Sequence, residues 1–185
     1  MEQRISAVAG DSSREQIVTH WLPPFEFQDT LTVRVGDLAP VEERAASSAL
    51  RFHYQYQGRR VTGTMQRRDS AARPIDVTFG EPVFAFNQLD ELVSALAFRR
   101  GMRVVIPLFS EADAALEHDT LSVLGDTMAN GERTWRIRFA DPVIVSRYLV
   151  DARSREIIDT ETRQRRSAMA FHLVPDTADL PRVAP

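Results

Sequence analysis

The sequence predicts a mainly β protein. We expect a curved antiparallel meander of about nine or ten strands, a half-barrel or barrel-like sheet, with one central helix packed on its concave face. Apolar and polar residues alternate with a period of two along most of the chain, tight-turn sequences separate these segments, and one segment has helical periodicity. Since a large sheet must curl or be covered, the helix is the natural cover.

The segments "FEFQDTLTVRV" and "LRFHYQYQGRRVTGTMQ" give the clearest strands. In the first segment one face carries the apolar residues Phe25, Phe27, Leu31, Val33 and Val35. Asp29 falls on the same face and is the one misfit in that pattern. In the second segment the residues Gln57-Gly58 predict a turn, so the strands before and after them are predicted to form a hairpin.

The segment "FNQLDELVSALAFRRG" predicts the helix, near residues 87–100. Its apolar residues recur at i, i+3, i+4 and i+7, which is the spacing of one helix face: Leu89, Leu92, Val93 and Leu96. Asn87 can cap the helix at its N-terminus, and Gly101 can end it.

The segment "RYLVDARSREIIDTETRQ", residues 147–164, interleaves acids and arginines. This mixture would suit either a catalytic carboxylate pair or a hairpin with one solvated face, and we favour the hairpin. Asp151 can accept backbone N–H groups of Arg153 or Ser154 in an Asx-turn. A loop over residues 151–154 would then place Val150 opposite Arg155.

The chain of 185 residues fits one domain. We expect a flexible N-terminal segment over 1–14, a single β-rich domain over 15–174, and a flexible C-terminal tail over 175–185. No apolar run approaches the ~20 residues that span a bilayer, and the first residues lack the apolar segment of a secretory signal. The protein is therefore expected to be periplasmic or secreted if a signal peptide precedes this sequence, and cytoplasmic otherwise.

Composition excludes several kinds of chemistry. The chain has no Cys and its cations are all Arg, so thiol catalysis, Cys-ligated metals and lysine Schiff bases are excluded. A net charge of −3 gives no global attraction to nucleic acid or anionic lipid. We expect no cofactor, no metal and no nucleic-acid partner.

No sequence motif indicates an enzyme. The four histidines have no ligand-like spacing, and the chain contains neither a nucleophile elbow nor a phosphate-binding glycine loop. The cluster "EHD" around His118 is the one local His–carboxylate group. A hydrolase that uses His118 and nearby acids is the remaining enzymatic alternative, but we expect no catalytic residues.

Several segments resemble an exported bacterial family of unknown function. "YLVDARSREIID" is similar to a hairpin near the end of that domain, and "TLTVRVGDLAPVEER", "YQGRRVTGTM" and "PVFAFNQLDELVSALAFRRGMRVVIPLF" resemble its earlier parts. The resemblance covers roughly Asp29 to Val174, although family members more often have Asp where Gln57 stands. The family is similar in turn to lipoprotein-carrier half-barrels, which implies an antiparallel sheet wrapped around a helix, a sheltered lipid and a periplasmic location. It implies no catalytic residue.

We therefore expect a non-enzymatic exported or periplasmic protein that binds a lipid or other hydrophobic ligand between the curved sheet and the helix. The alternative is a structural or protein-interaction module of the cell envelope, with a filled core and no small ligand. The residues expected to line the ligand site are apolar and aromatic: Phe84, Phe86, Leu92, Leu96, Trp135 and Tyr148.

Overall fold

The computed structural model describes residues 2–21, 27–129, 131–140, 144–164 and 170–172, and within these ranges the protein is mainly β. It has fourteen strands, one turn of 3-10 helix at Phe86–Gln88, and one short α-helix, α1, at Leu89–Ala95. The strands are β1 Glu2–Val8, β2 Asp11–Trp21, β3 Phe27–Arg34, β4 Pro40–Ala46, β5 Leu50–Gln57, β6 Arg60–Arg67, β7 Arg73–Thr78, β8 Phe84–Ala85, β9 Arg103–Ser110, β10 Ala115–Ala129, β11 Glu132–Ala140, β12 Ile144–Asp151, β13 Ile157–Gln164 and β14 Ala170–His172.

The first sheet is an antiparallel meander in chain order, from β1 to β7. Its buried face carries the alternating residues that the sequence predicts, including Leu31 and Val33 on β3 and Tyr54 on β5. Gly63 on β6 lies opposite Tyr54. It has a φ of +151°, and a Cβ there would lie 2.0 Å from the carbonyl oxygen of His53, so only glycine fits the register of this hairpin.

The second sheet has the order β14-β13-β12-β11-β10-β9-β8 and curls as a half-barrel. Its pairs from β10 to β14 are antiparallel, whereas β8 and β9 pair in parallel. On β11 and β12 the buried face contains Ile137, Phe139 and Tyr148. The antiparallel, mainly β class is thus confirmed.

The predicted number of strands and the predicted single meander are wrong. The described residues form fourteen strands in two seven-stranded sheets, whereas the sequence predicts nine or ten strands in one sheet. Strongly twisted sheets split rather than grow without limit, which is the physical reason for two sheets. Residues 2–14, which the sequence predicts to be flexible, form β1 and the beginning of β2, paired as in Arg4↔Val18. The predicted C-terminal tail, 175–185, lies outside the described residues.

The helix is shorter than predicted, because α1 ends at Ala95 and not near residue 100. Beyond that point, as far as β9, the chain has no regular secondary structure, and Phe98 is buried. Gly101, at a φ of +75°, then turns the chain and donates its N–H to the carbonyl oxygen of Val123. Leu96 consequently lies after the helix. The Asn87 side chain does not cap the helix but donates to Glu43.

The hairpin at residues 147–164 is confirmed, with a different register from the expected one. Val150 pairs with Ile157 instead of Arg155, and a bulge between Leu149 and Val150 shifts the register by one further residue. Arg147 therefore lies directly opposite Glu161. The extra residues are accommodated in the loop, where Arg155 takes a φ of +71°.

The chain divides into two compact units, so the predicted single domain of residues 15–174 consists of two parts. Unit 1 comprises Met1–Val93 and Ile106–His118, and unit 2 comprises Ser94–Val105 and Asp119–Pro185. In the part of the chain that the structure describes, no helix has the length and apolar character to cross a membrane.

Candidate functional site

The structure places the predicted ligand-lining residues in different units. Phe84, Phe86 and Leu92 belong to unit 1, where Leu92 is buried and the two Phe side chains are half-buried. Unit 2 holds the other three, of which Tyr148 is buried and Leu96 and Trp135 are half-buried. Each unit therefore carries its own set of three predicted residues.

The candidate binding site of unit 2 begins at the loop after β12. Oδ1 of Asp151 accepts the backbone N–H of Ser154 at 2.6 Å and that of Arg153 at 2.7 Å, so the expected Asx-turn is confirmed. These hydrogen bonds hold the pKa of Asp151 below its usual range. The backbone N–H of Asp151 donates a hydrogen bond to the carbonyl oxygen of Glu156 at 2.9 Å, which closes the turn. This geometry holds Arg155 at its positive φ, which costs a non-glycine residue about 1–2 kcal/mol.

The guanidinium of Arg155 stacks on an aromatic ring. Its Cζ lies 3.9 Å from the centroid of the Phe98 ring, within cation–π range. Its Nε donates to the carbonyl oxygen of Ser94 at 3.4 Å. Its Nη2 is buried and has no hydrogen-bond acceptor among the described residues, and no described carboxylate forms a salt bridge with it. Burial lowers the pKa of Arg155.

Trp135 extends the aromatic surface of this site. Its ring centroid lies 6.2 Å from that of Phe98 in an edge-on arrangement. Trp135 also contacts Arg133, whose Cζ lies 5.6 Å from the Trp135 ring centroid. Nε of Arg133 forms an ion pair with Asp126 at 3.0 Å. We name Arg155, Phe98 and Trp135 the Arg155 site. An arginine fork beside apolar rings can recognise a planar anion such as a carboxylate, with the rings in contact with an apolar chain.

A second candidate is a set of buried acids in unit 1, which we name the buried carboxyl cluster: Asp29, Glu43, Glu91 and Glu111. Asp29 and Glu43 lie on neighbouring strands, β3 and β4, where Asp29 pairs with Ala45 and is diagonal to Glu43. Oε2 of Glu43 accepts the hydroxyl of Tyr56 at 2.5 Å, and its Oε1 accepts the Asn87 amide at 3.0 Å.

Glu111, on the loop after β9, completes the hydrogen bonding of this region. Its Oε1 accepts the backbone N–H of Phe86 at 2.7 Å, and its backbone carbonyl oxygen accepts the hydroxyl of Tyr54 at 2.8 Å. Oδ1 of Asp29 is buried without a hydrogen-bond partner. The carboxyls of the cluster thus accept hydrogen bonds from a tyrosine hydroxyl, a side-chain amide and a backbone N–H.

Burial dominates the titration of these carboxyls. Desolvation and the neighbouring charge of Glu43 raise the pKa of Asp29 to about 8, and desolvation raises the pKa of Glu43 to about 7. The pKa of Glu91 rises to about 7, and that of Glu111 rises well above its usual range, again mainly through burial. The cluster can therefore bind protons near neutral pH. In the described residues no three His, Cys, Asp or Glu side chains are arranged to hold a metal ion.

His118, the centre of the enzymatic alternative, pairs with Glu81. Its Nε2 is 2.7 Å from Oε1 of Glu81, and both side chains are about half exposed. Such an exposed pair is common on protein surfaces and supplies no oriented nucleophile.

Sequence reasoning missed most of these residues. Asp29 gave a signal, because it breaks the apolar alternation of β3. Glu43 gave a weaker one, since it is an acid at an inward-facing position of β4, on the same face as Ala45. Nothing local marks Arg155 or Phe98 as partners, because 57 residues of chain separate them.

Protein-family models, curated proteins and solved structures were compared with the chain, and none of them matches it. The resemblance to an exported bacterial family, and the periplasmic or secreted location that it implies, stay predictions.

Proposed function

We propose that the protein is a non-enzymatic binding protein for an amphipathic ligand of the long-chain carboxylate class, which has an apolar body and an anionic head. The head binds Arg155 in unit 2, and the body lies against Phe98 and Trp135. This keeps the expected hydrophobic or lipid ligand and gives it a charged group. An exported or periplasmic location would suit such a carrier.

The observation that supports this proposal is that Nη2 of the Arg155 guanidinium is buried without a hydrogen-bond acceptor among the described residues. A buried N–H without an acceptor costs about 1–3 kcal/mol, and more when the group is charged. A bound carboxylate would supply the missing acceptor for Nη2 and balance a charge that no described acid pairs. Burial of the ligand chain would add roughly 25 cal/mol per Å² of apolar surface, before ordering costs.

The test is calorimetric titration with palmitate and with hexadecanol, which has the same chain length and no charge. We expect wild-type protein to bind palmitate more tightly than the alcohol. Arg155→Gln should weaken palmitate binding about 10- to 100-fold, since hydrogen bonds to charged groups are worth about 1.5–3 kcal/mol. Its effect on hexadecanol should be small.

Arg153→Gln is the matched control, because Arg153 belongs to the same loop and is exposed. It should leave both affinities unchanged. The proposal fails if wild-type protein binds neither ligand, or if Arg155→Gln binds palmitate as tightly as wild type while circular dichroism shows a native fold. Either result would favour the structural or protein-interaction module of the cell envelope.

A further inference from the structure

The outer face of β11–β13 in unit 2 is rich in arginine. Strand pairing places Arg136, Arg138 and Arg147 on the face opposite to the buried Ile137 and Tyr148. Arg138 lies directly across from Arg147. Like charges in this position destabilise a strand pair, so the arrangement favours a role other than stability.

The acids on this face neutralise only part of its charge. Glu161 contacts Nη1 of Arg147 at 3.1 Å and Nη2 of Arg163 at 2.5 Å. Asp159 lies opposite Leu149, and Asp151, two residues after Leu149 on β12, is on the same face, so three acids accompany the four arginines. Arg136 and Arg138 form no hydrogen bond or ion pair with any residue that the structure describes. We name this surface, formed by Arg136, Arg138, Arg147, Arg163 and the residues between them, the arginine face.

The charge of the chain is divided unevenly between its two units. Unit 2 contains 13 of the 23 arginines and ten of the 26 acidic residues, so its formal charge is +3. Unit 1 has ten arginines and sixteen acids, which gives −6. The net charge of −3 therefore conceals a basic unit that can attract an anionic surface.

The uncharged residues of the arginine face indicate the kind of anionic surface. Ala140 and Val145 pair with each other next to Arg138 and Arg147, and Leu149 lies opposite Arg136, so aliphatic side chains border the arginines on this face. Within residues 132–140, 144–151 and 157–163, no aromatic side chain lies on this face, so nucleobases would find no stacking platform. Arginines interleaved with aliphatic residues are suited to the headgroup region of an anionic bilayer.

We propose that the arginine face docks on the surface of an anionic lipid bilayer. Arg136 and Arg138 contact lipid phosphates, and Leu149 faces the headgroup region. This inference uses none of the residues of the Arg155 site and does not depend on the ligand proposed for it.

The test is flotation of the purified protein with vesicles of phosphatidylcholine alone and of phosphatidylcholine with about one third phosphatidylglycerol, at about 50 mM and about 300 mM salt. We expect binding only to the anionic vesicles and a clear loss at the higher salt. The charge-reversed pair Arg136→Glu and Arg138→Glu should weaken vesicle binding at least tenfold.

The matched control is the pair Arg51→Glu and Arg59→Glu in unit 1, which changes the net charge equally at two exposed arginines. It should bind within about twofold of wild type. Three results would overturn the inference: no binding of wild-type protein to anionic vesicles at low salt, an equal loss in both charge-reversed proteins, or tighter binding to single-stranded RNA than to the vesicles. Circular dichroism should show a native fold for both charge-reversed variants.

Discussion

Replacement of Glu43 by Gln should make the stability of the protein less dependent on pH. Glu43 is completely buried on β4, accepts hydrogen bonds from Tyr56 and Asn87, and has a pKa of about 7 in place of 4.5. Its neighbour Glu42 is on the other face of the same strand. Burial opposes ionisation of Glu42, but hydrogen bonds from Arg44 and His53 lower its pKa.

The direction in which stability changes with pH follows from the pKa values of Glu43 in the unfolded and the folded protein. Below pH 4.5 both the folded and the unfolded protein hold the proton, and the contribution to the free energy of unfolding is complete. As pH rises toward 7, the unfolded chain releases the proton and the folded protein retains it, so stability is lost. A shift of this size corresponds to about 3 kcal/mol, at about 1.4 kcal/mol per pH unit. Asp29 acts in the same direction, because its pKa is raised to about 8.

The assay is urea unfolding followed by far-UV circular dichroism, at about pH 5 and about pH 8. Wild-type protein should lose several kcal/mol of stability between these conditions, and Glu43→Gln should lose about 3 kcal/mol less. Glu42→Gln, the control, should retain the wild-type decrease. A wild-type stability that is equal or greater at the higher pH, or a full decrease in Glu43→Gln, would refute the reasoning.

Three further outcomes are expected from the same unfolding measurements. Gly63→Ala should destabilise the protein by more than about 2 kcal/mol, because its Cβ would overlap the carbonyl oxygen of His53, 2.0 Å away; a change within error would contradict the register of β5 and β6. Asp151→Ala should cost about 1–2 kcal/mol at neutral pH, since two backbone N–H groups lose their acceptor, and Asp151→Asn should recover part of that loss. Tyr56→Phe should destabilise more at about pH 8 than at about pH 5, because it removes a donor that favours ionised Glu43; an equal effect at both would argue against that hydrogen bond.

The sequence alone determined the local structure. Period-2 alternation predicted strands such as β3 and β5, because one face of each strand must be buried. It also predicted the turn at Asp151, whose side chain needs only the next few backbone N–H groups. Helical periodicity predicted α1 but not its end, because the residues that contact Phe98 beyond the helix are distant in sequence.

Only the tertiary structure decided which side chains meet. Asn87 reaches Glu43 across 44 residues of sequence, and Tyr54 reaches Glu111 across 57. The guanidinium of Arg155 and the ring of Phe98 are likewise in contact although they are distant in sequence. Alternation assigns a residue to a face of its strand, but strand order and register assign its neighbours on that face. Strand order and register are set by the packing of the whole chain, so the buried carboxyl cluster, the Arg155 site and the arginine face could not be predicted from sequence patterns.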